Sequence, residues 1–178
     1  MSTYEVVLLV EQALSADDAA RVRSLHEGIE DPLHYTVLIP VEDAAAHIEA
    51  AMSSLGGADL GAAPTLAMTE DDLAAVQAES QHRAQADLDA SVASLLALGV
   101  GASGRLVPES PVPALTATVS QTDAREVIVL TRPHVVAEFF HLDWTSQARR
   151  RLGVPVLHLL EHETFDEQAG SGEGITGL

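Results

Sequence analysis

The sequence contains no cysteine and no lysine. Without cysteine the chain can form no disulfide and can carry out no thiolate chemistry. The missing lysines exclude Schiff-base catalysis and a P-loop of the usual kind, because both need a lysine ammonium group. Nine arginines stand against 27 acidic residues, which gives a formal net charge of −18. Such a charge repels phosphate backbones, so we expect no nucleic-acid partner.

Long hydrophobic runs are also missing. No apolar run approaches the roughly 20 residues that a membrane-spanning helix needs, so we expect no membrane partner. The first residues, MSTYEVVLLVEQ, lack the basic start of a signal peptide, and Glu11 interrupts their apolar run, which favours a cytoplasmic protein. The 178 residues suffice for one domain with a sizeable core. We predict this domain over 1–165 and a flexible tail over 166–178.

Short apolar runs with strand character alternate with helical patterns along the chain. The predicted strands are Glu5–Val10, His34–Pro40, Ala102–Pro108, Glu126–Thr131 and Val154–Leu160. Strands that alternate with helices indicate a parallel sheet with helices on both faces. The sequence therefore predicts an α/β three-layer sandwich with a five-stranded parallel sheet, of flavodoxin or Rossmann type. The flavodoxin strand order is our starting expectation.

Helical spacing fills the segments between these strands. The first helix follows Ser15-Ala-Asp-Asp18, which resembles a capping box, and the longest runs from Thr69 to Gly99. Further helices are predicted over Glu42–Leu55, Val112–Ser120 and Thr145–Leu152. The apolar stripe of the longest helix is predicted to contain Leu73, Val76, Leu88, Val92, Leu95 and Leu96, with Ala84 bridging its middle.

Several phrases of the sequence follow one family pattern. The first strand ends in an acidic residue (VVLLVE, Glu11), and the long acidic helix ends in LLALGV before the third strand. The phrase ALTATVSQTDAREVIVLTRPH leads into the fourth strand, and GVPVLHLL forms the last. From about Glu5 to Glu161 the chain thus resembles the universal stress protein family. The resemblance implies an adenine nucleotide alpha hydrolase-like fold and a regulatory or stress-response protein without catalytic activity.

The phosphate-binding loop of that family has no counterpart in this chain. ATP-binding members carry G-x-x-G, nine further residues and G-[ST] after strand four, where glycines let backbone amides approach the phosphates. The corresponding stretch from Thr131 to Thr145 contains no glycine, and Leu142 and Asp143 take the place of the final pair. An aspartate there repels phosphate. We therefore expect a degenerate nucleotide pocket and no cofactor, with ATP or AMP as the candidates that the resemblance leaves open.

The carboxyl edge of the sheet is the predicted binding region. The candidate binding residues are Glu11, Thr131, Arg132, His134, Asp143, Trp144 and Thr145. Glu11 could meet a ribose or adenine group, or be an exposed acid that enters a loop. Arg132 could bind an anion or pair with Glu11 or Asp143. Trp144 and the pair Phe139-Phe140 could stack on a base or serve as a lid, or fold inward and fill the nucleotide's place.

Catalytic and metal-binding residues are not predicted. The segment His158–His162 matches the H-x-x-E-H pattern of some zinc peptidases, which needs a helix to bring both histidines to one metal. Here the first histidine lies in a predicted strand, where residues four apart stand about 13 Å apart. The pattern is therefore not expected to bind zinc.

Two functions remain open from the sequence. One is a non-catalytic regulatory protein that acts through protein contacts, and the other is a binder of an adenine nucleotide or another anionic ligand at the carboxyl edge. The last strand, GVPVLHLL, is expected at a sheet edge, where an apolar strand favours pairing with a second copy. We therefore predict a homodimer through this strand, and leave a further protein partner open.

Overall fold

The computed structural model describes residues 2–41, 70–107, 111–131 and 152–160. Its elements, in chain order, are β1 (Tyr4–Val10), α1 (Ala16–Ser24), β2 (Leu33–Pro40), α2 (Glu70–Ala97), β3 (Gly101–Val107), α3 (Pro111–Thr122), β4 (Glu126–Thr131) and β5 (Val156–Leu160). The five predicted strands are confirmed. The predicted helix over Glu42–Leu55, most of the one over Thr145–Leu152 and the predicted tail lie outside the described residues.

The five strands form one parallel sheet in the order β3-β2-β1-β4-β5. This is the Rossmann order 3-2-1-4-5-6 without its sixth strand, and the expected flavodoxin order, 2-1-3-4-5, is wrong. The chain adds β2 and β3 successively on one side of β1 and then crosses back to place β4 on the other side. The order of the strands therefore reverses between β1 and β4. Their carboxyl ends form the edge at which ligands bind in open sheets of this kind.

Helices cover both faces of the sheet and make a three-layer sandwich. Alternate residues of each strand point to opposite faces, so β1 contributes Val6 and Leu8 to one face and Val7 and Leu9 to the other. On the first face, called the α1/α2 face, the core includes Ala19, Val22, Ala84, Leu88 and Leu95 of the two helices. On the second, the α3 face, it includes Leu115 and Val119. Burial on both faces explains the continuous apolar runs of the central strands.

The helices begin and pack largely as their sequences predict. Ser15 caps α1, since its hydroxyl oxygen accepts a hydrogen bond of 3.0 Å from the backbone N–H of Asp18. On α2, Leu88 and Leu95 are buried as predicted, but Val76 and Leu96 are 40% and 52% exposed, so these two stripe assignments are wrong. Leu96 lies 100° around the helix from Leu95, and Val76 belongs to the exposed first turns of a helix about 42 Å long.

Candidate functional site

A cavity of about 170 Å³ lies at the carboxyl edge of the sheet. The described residues that line it are Glu11, Gln12, Ile39, Pro40, Ser80, Arg83, Ala84 and Asp87. Glu11 directly follows β1, and Ile39 and Pro40 end β2. The four residues from α2 have the spacing i, i+3, i+4 and i+7 and so share one face of the helix. The end of the sheet and the middle of α2 therefore form the cavity together.

The cavity combines an apolar floor with a charged rim. Ile39 and Ala84 are buried and belong to the core of the α1/α2 face. Glu11 and Asp87 bring carboxylates, and Arg83 brings a guanidinium whose Nη2 lies 3.8 Å from Oε1 of Glu79. An apolar floor with a few polar groups around it is typical of a small-molecule site. The volume suits one ring of a ligand, since cavities that enclose whole drug-sized molecules measure about 300 to 1,000 Å³.

Two of the predicted site residues, Glu11 and Thr131, lie at the ends of neighbouring strands but in different environments. Val10 pairs with Leu130, so Glu11, which follows β1, and Thr131, which ends β4, lie at the same edge. Glu11 lines the cavity. Thr131 is buried, and its hydroxyl forms a hydrogen bond of 2.8 Å with Nε2 of His158 on β5. Burial lowers the pKa of His158, which favours its neutral form. The remaining predicted residues, Arg132, His134, Asp143, Trp144 and Thr145, lie outside the described residues.

The contribution of α2 to the site was missed at the sequence level. Ser80, Arg83 and Asp87 lie on the helix face that meets the ends of β1 and β2. A signal for this was present: one turn before Leu88, the buried stripe has only the small side chain of Ala84. A small residue at the centre of a packed stripe leaves space where a leucine would fill the layer, and that space is the cavity.

A second group of titratable side chains lies at the opposite, amino end of the sheet. His26 is 2% exposed, and its Nε2 donates a hydrogen bond of 2.7 Å to Oε1 of Glu126. The Tyr35 hydroxyl lies 2.8 Å from Nδ1 of the same ring, and the Tyr4 hydroxyl donates to Glu126 at 3.1 Å. The hydrogen bond from His26 holds the pKa of Glu126 below its usual value. His26 and Tyr35 are closed off from solvent, so this network stabilises the fold rather than meeting a substrate.

The described part of the chain meets neither the requirements of a metal-ligand cluster nor those of a membrane-spanning helix. No group of three or more histidine, aspartate or glutamate side chains there could hold a metal ion. None of the three described helices is long and apolar enough to cross a membrane.

Comparison with solved structures identifies the fold. The chain is similar to the universal stress protein UspA from Lactobacillus plantarum, with 13% sequence identity, a TM-score of 0.54, and coverage of 89% of this chain and 99% of that one. A universal stress protein family protein from Arabidopsis thaliana, solved with AMP bound, gives 12% identity, a TM-score of 0.53, and coverage of 92% and 94%. No protein-family model matches the chain, and no curated protein sequence is significantly similar to it. The chain therefore has the fold of the universal stress proteins, at a sequence distance that makes it divergent from them.

Proposed function

We propose that this protein is a non-catalytic binding protein of universal-stress type, whose carboxyl-edge cavity takes the adenine or ribose part of a small nucleotide. The observation that carries the proposal is the position of Glu11 on the rim of a cavity with an apolar floor. In doubly wound sheets, ligands bind at the carboxyl edge, and Glu11 follows β1, one of the two strands between which the order reverses.

The chemistry of the cavity suits a ligand rich in hydrogen-bond donors. A carboxylate next to a βα crossover accepts hydrogen bonds from ribose hydroxyls in dinucleotide-binding folds, and Glu11 and Asp87 offer carboxylates here. Ile39 and Ala84 provide the apolar surface on which a flat ring can lie. A nucleoside supplies both parts, a ring and a sugar with hydroxyl donors.

The sequence after β4 and the charge of the protein disfavour the binding of a triphosphate. The chain has no glycine from Thr131 through Leu152, so the backbone approach that cradles phosphates in the family is not available. Two carboxylates at the cavity and a net charge of −18 repel additional negative charge. We therefore expect adenosine or AMP to bind in preference to ATP. The AMP-bound Arabidopsis protein, which shares the fold, supports a nucleoside monophosphate as the first ligand to test.

Isothermal titration calorimetry with adenosine, AMP and ATP tests this function. We expect saturable binding of adenosine or AMP and weaker binding of ATP. Glu11→Gln is expected to weaken binding about ten-fold, which corresponds to the loss of one charge-assisted hydrogen bond. Ala84→Leu is expected to abolish binding, because the larger side chain fills the cavity floor without changing any charge.

Ala78→Leu is the matched control for Ala84→Leu. Ala78 is exposed on the same helix and does not line the cavity, so its replacement should leave the affinity unchanged. Circular dichroism checks that each variant is folded. The proposal is wrong if folded wild-type protein binds none of the three ligands, or if Ala84→Leu and Ala78→Leu bind them equally well.

The second candidate function is a regulatory protein that acts through protein contacts and uses no nucleotide. The absence of glycine after β4 favours this second function, because the chain keeps the layered fold of the family but lacks its phosphate-binding loop. Under this alternative the folded protein gives no heat of binding with any adenine nucleotide. Saturable AMP binding that is lost in Ala84→Leu would exclude it.

A further inference from the structure

A second cavity, of about 300 Å³, lies on the α3 face of the sheet, at the amino-terminal half of β2 and β3. It is lined by Glu5, His34, Thr36, Ser103, Arg105, Thr118, Gln121 and Thr122, all of which are polar. Its volume reaches the lower end of the range of about 300 to 1,000 Å³ that is usual for ligand-binding cavities. It is separate from the carboxyl-edge cavity, with which it shares no described residue.

The polar lining departs from the packing of the rest of this face. Towards the carboxyl edge, the strands contribute Val7, Leu9, Leu38 and Val107, which pack with apolar residues of α3. A sheet face that is covered by a helix normally continues in that apolar manner. In the polar half, by contrast, Ser103, Arg105 and Gln121 are exposed. The polar half of this face is therefore open to solvent and accessible to a polar ligand.

One end of the cavity offers hydrogen-bond acceptors. Nδ1 of His34 donates a hydrogen bond of 2.9 Å to Oε2 of Glu5. This bond places the proton of a neutral ring on Nδ1, so Nε2 is an acceptor, as is Oε1 of Glu5. Gly101 makes room for the ring, because a Cβ at this position would lie 2.9 Å from Cδ2 of His34.

The other end offers hydrogen-bond donors. The Arg105 guanidinium donates through Nη2 to Oγ1 of Thr118 and through Nη1, at 3.5 Å, to Oε1 of Gln121. Thr118 is 2% exposed and donates in turn to the carbonyl oxygen of Ala114 at 2.7 Å. The guanidinium is thus held against α3, and its further N–H groups remain for a carboxylate.

Two hydroxyls lie between these ends. Thr36 and Ser103 are paired in register on β2 and β3 and both line the cavity. Among the described residues, neither hydroxyl has a hydrogen-bond partner. Both hydroxyls therefore remain for a ligand in the cavity.

We propose that this cavity binds a small zwitterion, with its carboxylate at Arg105 and its ammonium group at Glu5 and His34. A simple anion would meet the Glu5 carboxylate, and a simple cation would meet Arg105, whereas a zwitterion complements both ends. Arg105 lies four residues beyond Gly101, the register partner of His34, which is about 13 Å along the strand at the backbone. The two ends of the cavity thus belong to residues that are well separated along the sheet, which suits a ligand whose two charges stand several bonds apart. The ligand class is therefore an ω-amino acid rather than an α-amino acid.

Calorimetric titration of the full chain with glycine, γ-aminobutyrate and ε-aminocaproate tests the proposal. We expect saturable binding of γ-aminobutyrate or ε-aminocaproate, and weaker binding of glycine. Butyrate and butylamine, which each carry one of the two charges, should bind at least about ten-fold more weakly, because each forfeits a charge-assisted contact.

Substitutions at the two charged ends of the cavity test whether the zwitterion binds there. Arg105→Gln and Glu5→Gln are each expected to weaken binding at least about ten-fold by the same reasoning. Arg125→Gln and Glu27→Gln, at exposed positions outside the cavity, are the matched controls and should retain full affinity. Circular dichroism establishes that all four are folded. The proposal is overturned if no ω-amino acid binds the folded protein, if butyrate or butylamine binds as tightly as the zwitterion, or if either cavity variant keeps full affinity.

Discussion

His26 lies at the centre of a buried hydrogen-bond network that joins the end of α1 to β1, β2 and β4. Its ring contacts Glu126 and Tyr35, and Glu126 accepts a further hydrogen bond from Tyr4. Burial raises the pKa of Tyr35 to about 12. It also raises the pKa of Tyr4, with a further contribution from the charge of Glu126. The sequence did not predict the network, because its members are up to 122 positions apart and each looks ordinary in its own segment.

Alkaline titration tests the state of these tyrosines, which are the only two in the chain. In the folded protein we expect both phenols to ionise above pH 10, whereas in urea they should ionise at about pH 10. Because the folded pKa of Tyr35 is the higher one, its contribution to the unfolding free energy is complete below pH 10 and declines as pH rises towards 12. Ultraviolet absorbance of phenolate measures this. Tyr35→Phe should remove the higher of the two transitions, and a folded protein that titrates near 10 would contradict the network.

Acid titration tests Glu126, the carboxylate that accepts hydrogen bonds from His26 and Tyr4. The folded pKa of Glu126 is lowered, so its contribution to stability is complete above the unfolded value and declines as pH falls through the folded pKa. Glu126→Gln should lower the free energy of unfolding by about 1 kcal/mol at neutral pH and flatten its decline below about pH 4.5. Urea unfolding at a series of pH values measures both. An unchanged pH profile in the variant would contradict this role, and Glu27→Gln, an exposed site, serves as the control.

At the scale of elements, the strands were the most predictable part of the structure. β1, β2 and β4 are buried on both faces, so each reads as an apolar run that is hard to mistake. β3, with the sequence GASGRLV, gave a weak signal because it is a partly exposed edge strand with a polar side. The order of the strands was not predictable in the same way. It depends on which distant segments pair, and local periodicity carries no information on that choice.

The packing of α2 on β3 depends on a residue without a side chain. A Cβ at Gly104 would lie 2.5 Å from Cδ1 of Leu88 and 3.1 Å from Cγ2 of Val92. Gly104→Ala is therefore expected to lower the free energy of unfolding by about 1 to 3 kcal/mol, as over-packing does in cores. Chemical denaturation measures this. Gly28→Ala is the control, since nothing lies within 4 Å of the added atom; equal stability of the two variants would show that the close approach does not matter.

In the candidate site, the residue that follows a strand was predictable from the sequence, whereas the residues from α2 were not. Glu11 was predictable because it directly follows the first strand, and such positions meet at the carboxyl edge. Ser80, Arg83 and Asp87 were not, because the rotation of a helix about its axis decides which polar residues reach that edge. The polar cavity on the α3 face was hidden for a similar reason: Thr36 and Ser103 become neighbours only through the pairing of β2 with β3.

At the scale of the whole molecule, the exposed edge of the sheet favours association. β5 pairs with β4 on one side and is the last strand of the sheet, as its sequence predicted. Leu157 on this strand is 37% exposed. An exposed apolar edge strand is a template for pairing with another strand, so we expect a homodimer in which two copies of β5 meet.

Light scattering tests this association. We expect the mass of a dimer for the wild-type protein and of a monomer for Leu157→Glu, because the added carboxylates would face each other across the interface. Leu96→Glu, at a more exposed leucine on α2, is the control and should remain dimeric. A monodisperse wild-type monomer, or a Leu157→Glu dimer, would contradict the proposed interface.

The most direct test of the proposed function is an NMR titration of the labelled protein with AMP, followed through the backbone amides. We predict saturable shifts at Glu11, at Ile39 and along Ser80–Asp87, where the carboxyl-edge cavity lies, and none of comparable size in the same titration of Ala84→Leu. Saturable shifts confined to other parts of the chain, or no shifts in the folded protein, would contradict the account.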